Sequence, residues 1–251
     1  MKWQSESYKT DFMVRQHKMG IEILADSIKL SAQKYPNDNI VIQFSEMPDL
    51  LRESRQRDPL TRILTKFAED FVKKDLPVRK TFLFVRAVNA WGGLRGANPS
   101  KIWEQNKDNN FSELQKRLVE AMALIQSDKP KEAIAVLQNL DGIGISFGSK
   151  YLRFLCPNHA VVLDQKIRDR TDLREKSEDY EKFVRICQKI RSALQSTEMS
   201  HLGMLHWRLA DVEASIFMAI AKNPLSDETK LSEKEKRAEK RRRRIAPLSG
   251  V

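Results

Sequence analysis

The amino-acid sequence predicts a mainly α-helical protein, and three observations support this prediction. Apolar residues recur at helical spacing along several long segments, helix-starting residues stand directly before those segments, and strand signals are few. The 251 residues are enough for one large or two small domains with a hydrophobic core.

The N-terminal part, residues 1–57, has the least interpretable pattern, and we expect it to be an extension of uncertain role. The turn sequence Pro36–Asn39 precedes Ile40–Phe44, a segment with strand character. A second short run with strand character, Ala160–Leu163, stands directly before Asp164.

A first helix is predicted to begin at Pro59, because Asp58 is a suitable N-cap and proline is favourable in the first helical turn. One face of this helix should pack into the core through five apolar residues: Leu60, Ile63, Leu64, Phe67 and Phe71. Ser112 and Gln115 have the spacing of a capping box and predict a second helix.

Two more helices are predicted in the C-terminal half of the chain. One follows Ser177, where Glu178 and Asp179 stand at the end of the helix dipole that favours negative charge. The last extends from about Leu209 to Ala221. Their apolar stripes indicate packing against a core, and we assign them no function.

The segment Leu140–Gly144 closes an apolar helix and contains a Gly-x-Gly turn. Glycine permits positive φ and lets bare backbone amides approach a ligand, so such a turn between two helices is suited to gripping a phosphate. Asp164 stands twenty residues after Gly144, at the end of an apolar run. The turn and the carboxylate together are more informative than the turn alone.

These features resemble the helix-hairpin-helix (HhH-GPD) DNA glycosylase superfamily over roughly residues 131–170. The family's hairpin pattern is matched by Leu140, Gly142, Ile143, Gly144 and Gly148, with Asp141 in place of the usual proline. Its catalytic segment is matched by Val161, Val162, Leu163, Asp164 and Ile167. Two cysteines, Cys156 and Cys187, are too few to hold an iron–sulfur cluster, so the branch of the family that carries one is excluded. The layout of the sequence resembles most closely the 8-oxoguanine glycosylase-like branch, which lacks the cluster.

The resemblance implies a two-lobed helical fold with a cleft that faces DNA. Residues 112–171 would form the helix-hairpin-helix lobe, which carries the catalytic aspartate. Residues 58–111 and 172–223 would form the second lobe, and residues 224–251 a basic, disordered tail.

The resemblance also implies a reaction. Asp164 would stabilise the oxocarbenium-like transition state while the N-glycosidic bond of a flipped base breaks, and would orient the attacking water. The structural alternative is that Asp164 merely caps the following helix. Bifunctional relatives carry a lysine where this chain has Ser146, so a monofunctional enzyme is expected. Lys150, one helical turn further, is the alternative Schiff-base residue.

Binding residues are implied in the same way. Phosphate contacts are expected from hairpin amides and from two cations on the following helix: Gly142, Gly144, Ser146, Lys150 and Arg153. The backbone carbonyls of Gln138, Leu140 and Ile143 are candidates to hold a structural Na⁺ or K⁺, and no other cofactor is expected to be required. Candidates for the base pocket are Trp91, Trp207 and Asp211, although either tryptophan could instead pack in the core.

The charge balance suggests a polyanionic partner, which we expect to be double-stranded DNA. Lysine and arginine number 45 against 34 aspartate and glutamate residues, a formal charge of +11. Residues 230–244 alone hold nine basic and three acidic side chains, so the rest of the chain is only modestly basic. This tail is either a nonspecific DNA-holding arm or a solvated charge run.

We expect a cytoplasmic monomer that does not bind membranes. The sequence opens without the pattern of a secretory signal, and no apolar run approaches the roughly 18 residues that span a bilayer.

The sequence leaves the identity of the excised base undecided. It could be an oxidised purine, as in DNA repair, or an alkylated or hypermodified base, as in antiphage defence. The competing interpretation is a non-enzymatic DNA-binding protein that uses the hairpin for phosphate contacts. An ordered cleft that exposes Asp164 would favour the enzyme, whereas a buried capping Asp164 without an adjacent cavity would favour the binding protein.

Deletion of residues 230–251 should weaken nonspecific DNA binding and reduce its salt dependence. Each phosphate contact that is lost removes roughly 0.9 from the slope of log affinity against log salt concentration. Fluorescence anisotropy titrations at several salt concentrations measure this slope, and single-turnover base release at saturating enzyme should survive the deletion. An unchanged slope would show that the tail does not contact DNA.

Overall fold

The structure, a computed structural model, describes residues 20–93, 102, 104, 111–195 and 206–226. The mainly α-helical class predicted from the sequence is confirmed. Residues 227–251 of the predicted basic tail lie outside these residues, as do residues 1–19, 94–101, 105–110 and 196–205.

The described N-terminal residues form a small antiparallel sheet of β1 (Ile21–Ile23), β2 (Ser27–Leu30) and β3 (Ile40–Gln43), in that order. In β3 the side chains alternate between buried and exposed, so one face of the sheet packs against the core. The predicted strand at Ile40–Phe44 is therefore confirmed, with its end at Gln43. The run before Asp164 is not assigned as a strand.

Nine α-helices follow within the described residues. In chain order they are α1 (Met47–Arg57), α2 (Pro59–Lys73), α3 (Val78–Trp91), α4 (Ser112–Gln126), α5 (Pro130–Gln138), α6 (Ile145–Leu155), α7 (Gln165–Asp169), α8 (Ser177–Leu194) and α9 (Leu209–Lys222). None of these helices is long and apolar enough to span a membrane. Helix α9 is buried along most of its length and packs against α1, α8, α7 and β3.

Helix α1 belongs to the helical body, although the sequence placed it in an N-terminal extension. The Ser215 hydroxyl of α9 donates a hydrogen bond to the Met47 carbonyl (3.0 Å), and Lys222 forms an ion pair with Glu53 (2.8 Å). The buried apolar residues of the sheet and of both predicted lobes form one contiguous core. The predicted boundary between residues 57 and 58 therefore separates two helices of the same body.

Two details of the predicted helices were wrong. In α2, Leu64 and Phe71 are buried, but Leu60 and Ile63 are 54% and 64% exposed, because the apolar stripe is wider than the face that meets the core. In α4, Ser112 is the first helical residue rather than the cap. The N-cap is Phe111, which has a φ of 64° and makes no side-chain capping hydrogen bond.

Candidate functional site

Helices α5 and α6 are joined by a six-residue turn, residues 139–144, that contains both hairpin glycines. Gly142 has a φ of 83°, a left-handed conformation that glycine adopts without strain. The Ile143 amide donates to the Leu140 carbonyl (3.1 Å) and closes the turn. At Gly148 on α6, a Cβ atom would lie 3.0 Å from Ile134 Cδ1 of α5, so a small residue lets the two helices pack closely.

The amino end of α6 offers backbone donors without a side-chain acceptor. Gly144 is the N-cap residue, and its lack of a side chain leaves the first-turn amides, Ser146 included, without side-chain capping. The phosphate contacts expected at Gly142, Gly144 and Ser146 are compatible with this arrangement and remain predictions. The cation site expected at the carbonyls of Gln138, Leu140 and Ile143 also remains a prediction, and the Leu140 carbonyl already accepts one hydrogen bond.

Asp164 is held firmly at the start of α7. Its Oδ1 atom accepts a hydrogen bond from the Ile167 amide (3.2 Å), which makes Asp164 the N-cap of this helix. The preceding Ala160–Leu163 segment is fully buried, and the Leu163 amide donates to Ser149 Oγ of α6 (3.1 Å). The carboxyl group is half-buried, so it caps the helix and still reaches a cavity.

That cavity has a volume of about 410 Å³ and lies between α6, α9, the cap of α7 and the ends of α1 and α3. Its lining includes Asp58, Trp91, Lys150, Arg153, Asp164 and Glu213. The structure therefore brings Asp164 together with three further residues that the sequence singled out, namely Trp91, Lys150 and Arg153.

Trp91 is fixed at the wall of the cavity by polar and aromatic contacts. Its indole N–H donates to the Asp58 carboxylate (2.5 Å) and to the Thr61 hydroxyl (2.8 Å). Its ring meets Phe154 edge-on, with 5.0 Å between the ring centroids. A partly exposed aromatic side chain therefore stands in the same cavity as Asp164.

The other two base-pocket candidates lie apart from this cavity. Trp207 is only 5% exposed and belongs to the core, the alternative that the sequence left open. Asp211 is buried in ion pairs with Arg55 (3.1 Å) and Arg208 (2.9 Å). Burial acts to raise the pKa of Asp211, but the two arginines outweigh it and lower the pKa.

Lys150 is a buried amine in the cavity wall, only 6% exposed. Its Nζ atom lies 3.4 Å from the Ser146 hydroxyl, one turn earlier on α6, and 4.6 Å from the centre of the Phe147 ring. Burial lowers the pKa of Lys150, while the charges of Asp164 and Glu213 partly oppose this shift. The lowered pKa increases the fraction of neutral, nucleophilic amine.

Arg153 does not occupy the exposed position expected of a phosphate contact. Its Nε atom lies 3.0 Å from Oε2 of Glu213, and both side chains are less than 10% exposed. The guanidinium group also lies over the Trp91 ring, 5.4 Å from its centre. Arg153 therefore connects α6 to α9 and to the aromatic wall of the cavity.

Glu213 is the residue of this site that sequence reasoning missed. It lies in the second turn of α9 and is 4% exposed. Burial raises its pKa to about 7; the charge of Arg153 opposes the shift and that of Asp164 adds to it. The available signal was a glutamate surrounded by apolar residues in a helix with little polar surface, because a buried carboxylate requires a partner.

A second, larger groove of about 820 Å³ runs between α1 and α2. It shares Asp58 and Thr61 with the Asp164 cavity, so the two spaces adjoin. Two acidic residues, Asp58 and Glu69, line this groove. Five cationic residues also line it, namely Arg52, Arg55, Arg62, Lys66 and Arg208. Arg55 and Arg208 pair with Asp211, and Arg52 pairs with Asp49, so the groove keeps only a modest excess of positive charge. A positive excess favours polyanions.

Comparison with known proteins adds no identification: no protein-family model, no curated protein and no solved structure matches this chain. Within the described residues, no group of three or more histidine, cysteine, aspartate or glutamate side chains is arranged to hold a metal ion.

Replacement of Glu213 by glutamine should change how stability depends on pH. In the folded protein the pKa of Glu213 is about 7, above its ordinary value of 4.5, so the folded state keeps a proton that the unfolded state releases. The contribution of Glu213 to the free energy of unfolding is therefore fully present below pH 4.5 and is lost as pH rises to about 7. One pKa unit corresponds to about 1.4 kcal/mol, so this loss is about 3 kcal/mol.

Urea unfolding of the wild type and Glu213→Gln across this pH range measures the difference directly. The Glu213→Gln variant should lack this decline. Glu120→Gln, at an exposed site on α4, is the control and should follow the wild type. Parallel pH profiles for the wild type and Glu213→Gln would contradict the raised pKa.

Proposed function

We propose that the protein is a DNA glycosylase that releases a flipped base by breaking its N-glycosidic bond. The observation that carries this proposal is the position of Asp164, which is fixed by capping α7 yet borders an ordered cavity with Trp91 and Lys150. A residue that served only as a helix cap would not require such surroundings. The competing proposal of a non-enzymatic binding protein accounts for the hairpin but not for the cavity.

The cavity suits a small-molecule-sized group such as an extruded nucleobase. Its volume of about 410 Å³ lies within the range of roughly 300–1,000 Å³ that is typical of ligand pockets. Trp91 supplies an aromatic surface for stacking, which is how flipped bases are commonly held. The substrate classes we propose are those that the resemblance suggests, an oxidised purine or an alkylated or hypermodified base, in repair or antiphage defence.

Asp164 would act on the sugar rather than on the base. Bond cleavage leaves positive charge on the sugar, and a carboxylate beneath C1′ stabilises that charge. The same group can orient a water molecule that attacks C1′.

DNA would be held from two sides of this cavity. The hairpin between α5 and α6 presents backbone amides near Ser146, whose hydroxyl contacts the cavity amine Lys150. The cationic groove between α1 and α2 adjoins the other side and would attract the phosphates of a strand. This arrangement supports double-stranded DNA as the proposed partner.

Asp164→Asn should leave DNA binding and folding intact but reduce base release by at least about 100-fold, because the stabilising charge is removed while the size is preserved. Asparagine is as good an N-cap as aspartate, so α7 should still form. The measurement is mass-spectrometric detection of free base from modified DNA under single-turnover conditions.

The matched control is Asp169→Asn, at the other end of α7, where the carboxylate accepts a hydrogen bond from Gln165 outside the cavity (2.6 Å). This control should release base at the wild-type rate. Activity of Asp164→Asn within a few-fold of the wild type, or a parallel loss of DNA binding, would overturn the proposed role.

A second candidate activity is cleavage of the DNA strand, and the observation that favours it is the position of Lys150. Ser146 occupies the family's lysine position and predicts hydrolysis alone, but the Lys150 amine reaches the same cavity one helical turn further on. Its lowered pKa suits attack on C1′ and formation of a Schiff base with the opened sugar.

If Lys150 is the nucleophile, borohydride added during turnover should link the enzyme covalently to substrate DNA. Lys150→Ala should abolish this trapping, whereas Lys116→Ala, at an exposed site on α4, should trap like the wild type. The product is resolved by denaturing gel electrophoresis with and without alkali. An absence of trapping by the wild type would leave hydrolysis as the only reaction.

A further inference from the structure

We propose that Glu213 is a second catalytic carboxyl group, which donates a proton to the departing base while Asp164 acts on the sugar. The inference rests on the proposed glycosylase function and assigns a role to a residue that the resemblance does not include. Its basis is the place of Glu213 on α9, in the wall of the same cavity.

The contacts of Glu213 leave one carboxyl oxygen available. Arg153 contacts Oε2 at 3.0 Å, and this is the one side-chain hydrogen bond found for Glu213 among the described residues, so it leaves Oε1 without one. Glu213 is 4% exposed, and it is one of the residues that line the cavity. A carboxyl group that is anchored by one oxygen and free at the other can present a proton to a bound base.

The charges around Glu213 come from several elements. Helix α6 contributes Lys150 and Arg153, which favour the carboxylate form, and the cap of α7 contributes Asp164, which opposes it. Tyr180 and Cys187 of α8 add no negative charge, because burial raises the pKa of each and keeps both groups neutral. Three further charged residues border the cavity, namely Arg57 of α1, Asp58 and Lys166 of α7. Burial outweighs the two cations of α6 and raises the pKa of Glu213 to about 7.

A pKa near the working pH is the condition under which a general acid is most effective. The two carboxyl groups have different environments. Asp164 is half-exposed at the amino end of α7, whereas Glu213 is enclosed among apolar residues of α9. Contrasting environments of this kind separate the acid from the charged partner in enzymes that use two carboxyl groups.

The proposed step balances as a hydrolysis. As the bond between C1′ and the base nitrogen breaks, its electron pair goes to the base, and the Glu213 proton neutralises the developing negative charge. Water adds to C1′ and gives up a proton, which Asp164 accepts and passes to solvent, and Glu213 is reprotonated from solvent. The net reaction consumes one water and yields the free base and an abasic sugar.

The leaving group provides the test. A DNA duplex with 7-methylguanine carries a cationic base that departs without protonation, whereas a duplex with 8-oxoguanine or hypoxanthine carries a neutral base that departs better with a proton. Glu213→Gln should slow release of the neutral bases by about 100-fold or more, and release of 7-methylguanine by no more than a few-fold. In the wild type, release of the neutral bases should fall as pH rises through about 7, and the variant should lack this limb.

Two further variants separate proton donation from a structural role. Glu213→Asp keeps the carboxyl group and should recover part of the neutral-base activity together with a pH-dependent limb. Asp179→Asn, a buried carboxylate of α8 that pairs with Lys182 (2.7 Å) outside the cavity, should keep the wild-type pH profile. Thermal unfolding and DNA binding of every variant are measured in parallel.

The outcomes are distinct. Equal losses on cationic and neutral bases, or an unchanged pH limb in Glu213→Gln, would overturn proton donation and leave Glu213 as the structural partner of Arg153. A wild type that releases a neutral base while Glu213→Gln is unimpaired would overturn this inference alone. Release of no base by the wild type would overturn the proposed function and this inference with it.

Discussion

The burial of α9 is the constraint on which the rest of the structure depends. This helix carries two carboxylates, Asp211 and Glu213, at positions that are almost fully enclosed. Buried carboxylates must be compensated, so cations from other elements have to reach them. Arg55 of α1 and Arg208 at the start of α9 reach Asp211, and Arg153 of α6 reaches Glu213.

These ion pairs join elements that are distant in sequence. The pair between Arg55 and Asp211 attaches α1 to α9, and the pair between Arg153 and Glu213 attaches α6, which follows the hairpin, to the same helix. Arg55 is itself 53% exposed, so only Arg153 and Glu213 form a fully buried pair, and loss of one partner of such a pair typically costs about 3–5 kcal/mol because the other charge is left uncompensated. The cavity lies where these elements meet, so its shape depends on the same contacts.

The two carboxylates of α9 show how position decides chemistry. Asp211 has two arginines, which lower its pKa despite burial, and this fits a structural role. Glu213 has one close arginine and a neighbouring aspartate, so burial prevails and its pKa rises to about 7. Residues two positions apart on one helix therefore differ in the property on which proton transfer depends.

Local patterns in the sequence determined much of the framework. Three features depend only on residues that are close together in the chain. They are the helical character of α9, the turn at Gly142 between α5 and α6, and the position of Asp164 as a helix cap. The contact between Ser146 and Lys150 was likewise foreseeable, because residues four apart lie on one face of a helix.

Only the tertiary structure decided which of these residues share a site. It placed Trp91 in the cavity and Trp207 in the core, and it paired Arg153 with Glu213 across sixty residues of sequence. It also exposed Leu60 and Ile63, although their spacing matches that of core residues. The physical reason is that burial and charge pairing depend on neighbours from distant segments, whereas helix periodicity and capping depend on the segment itself.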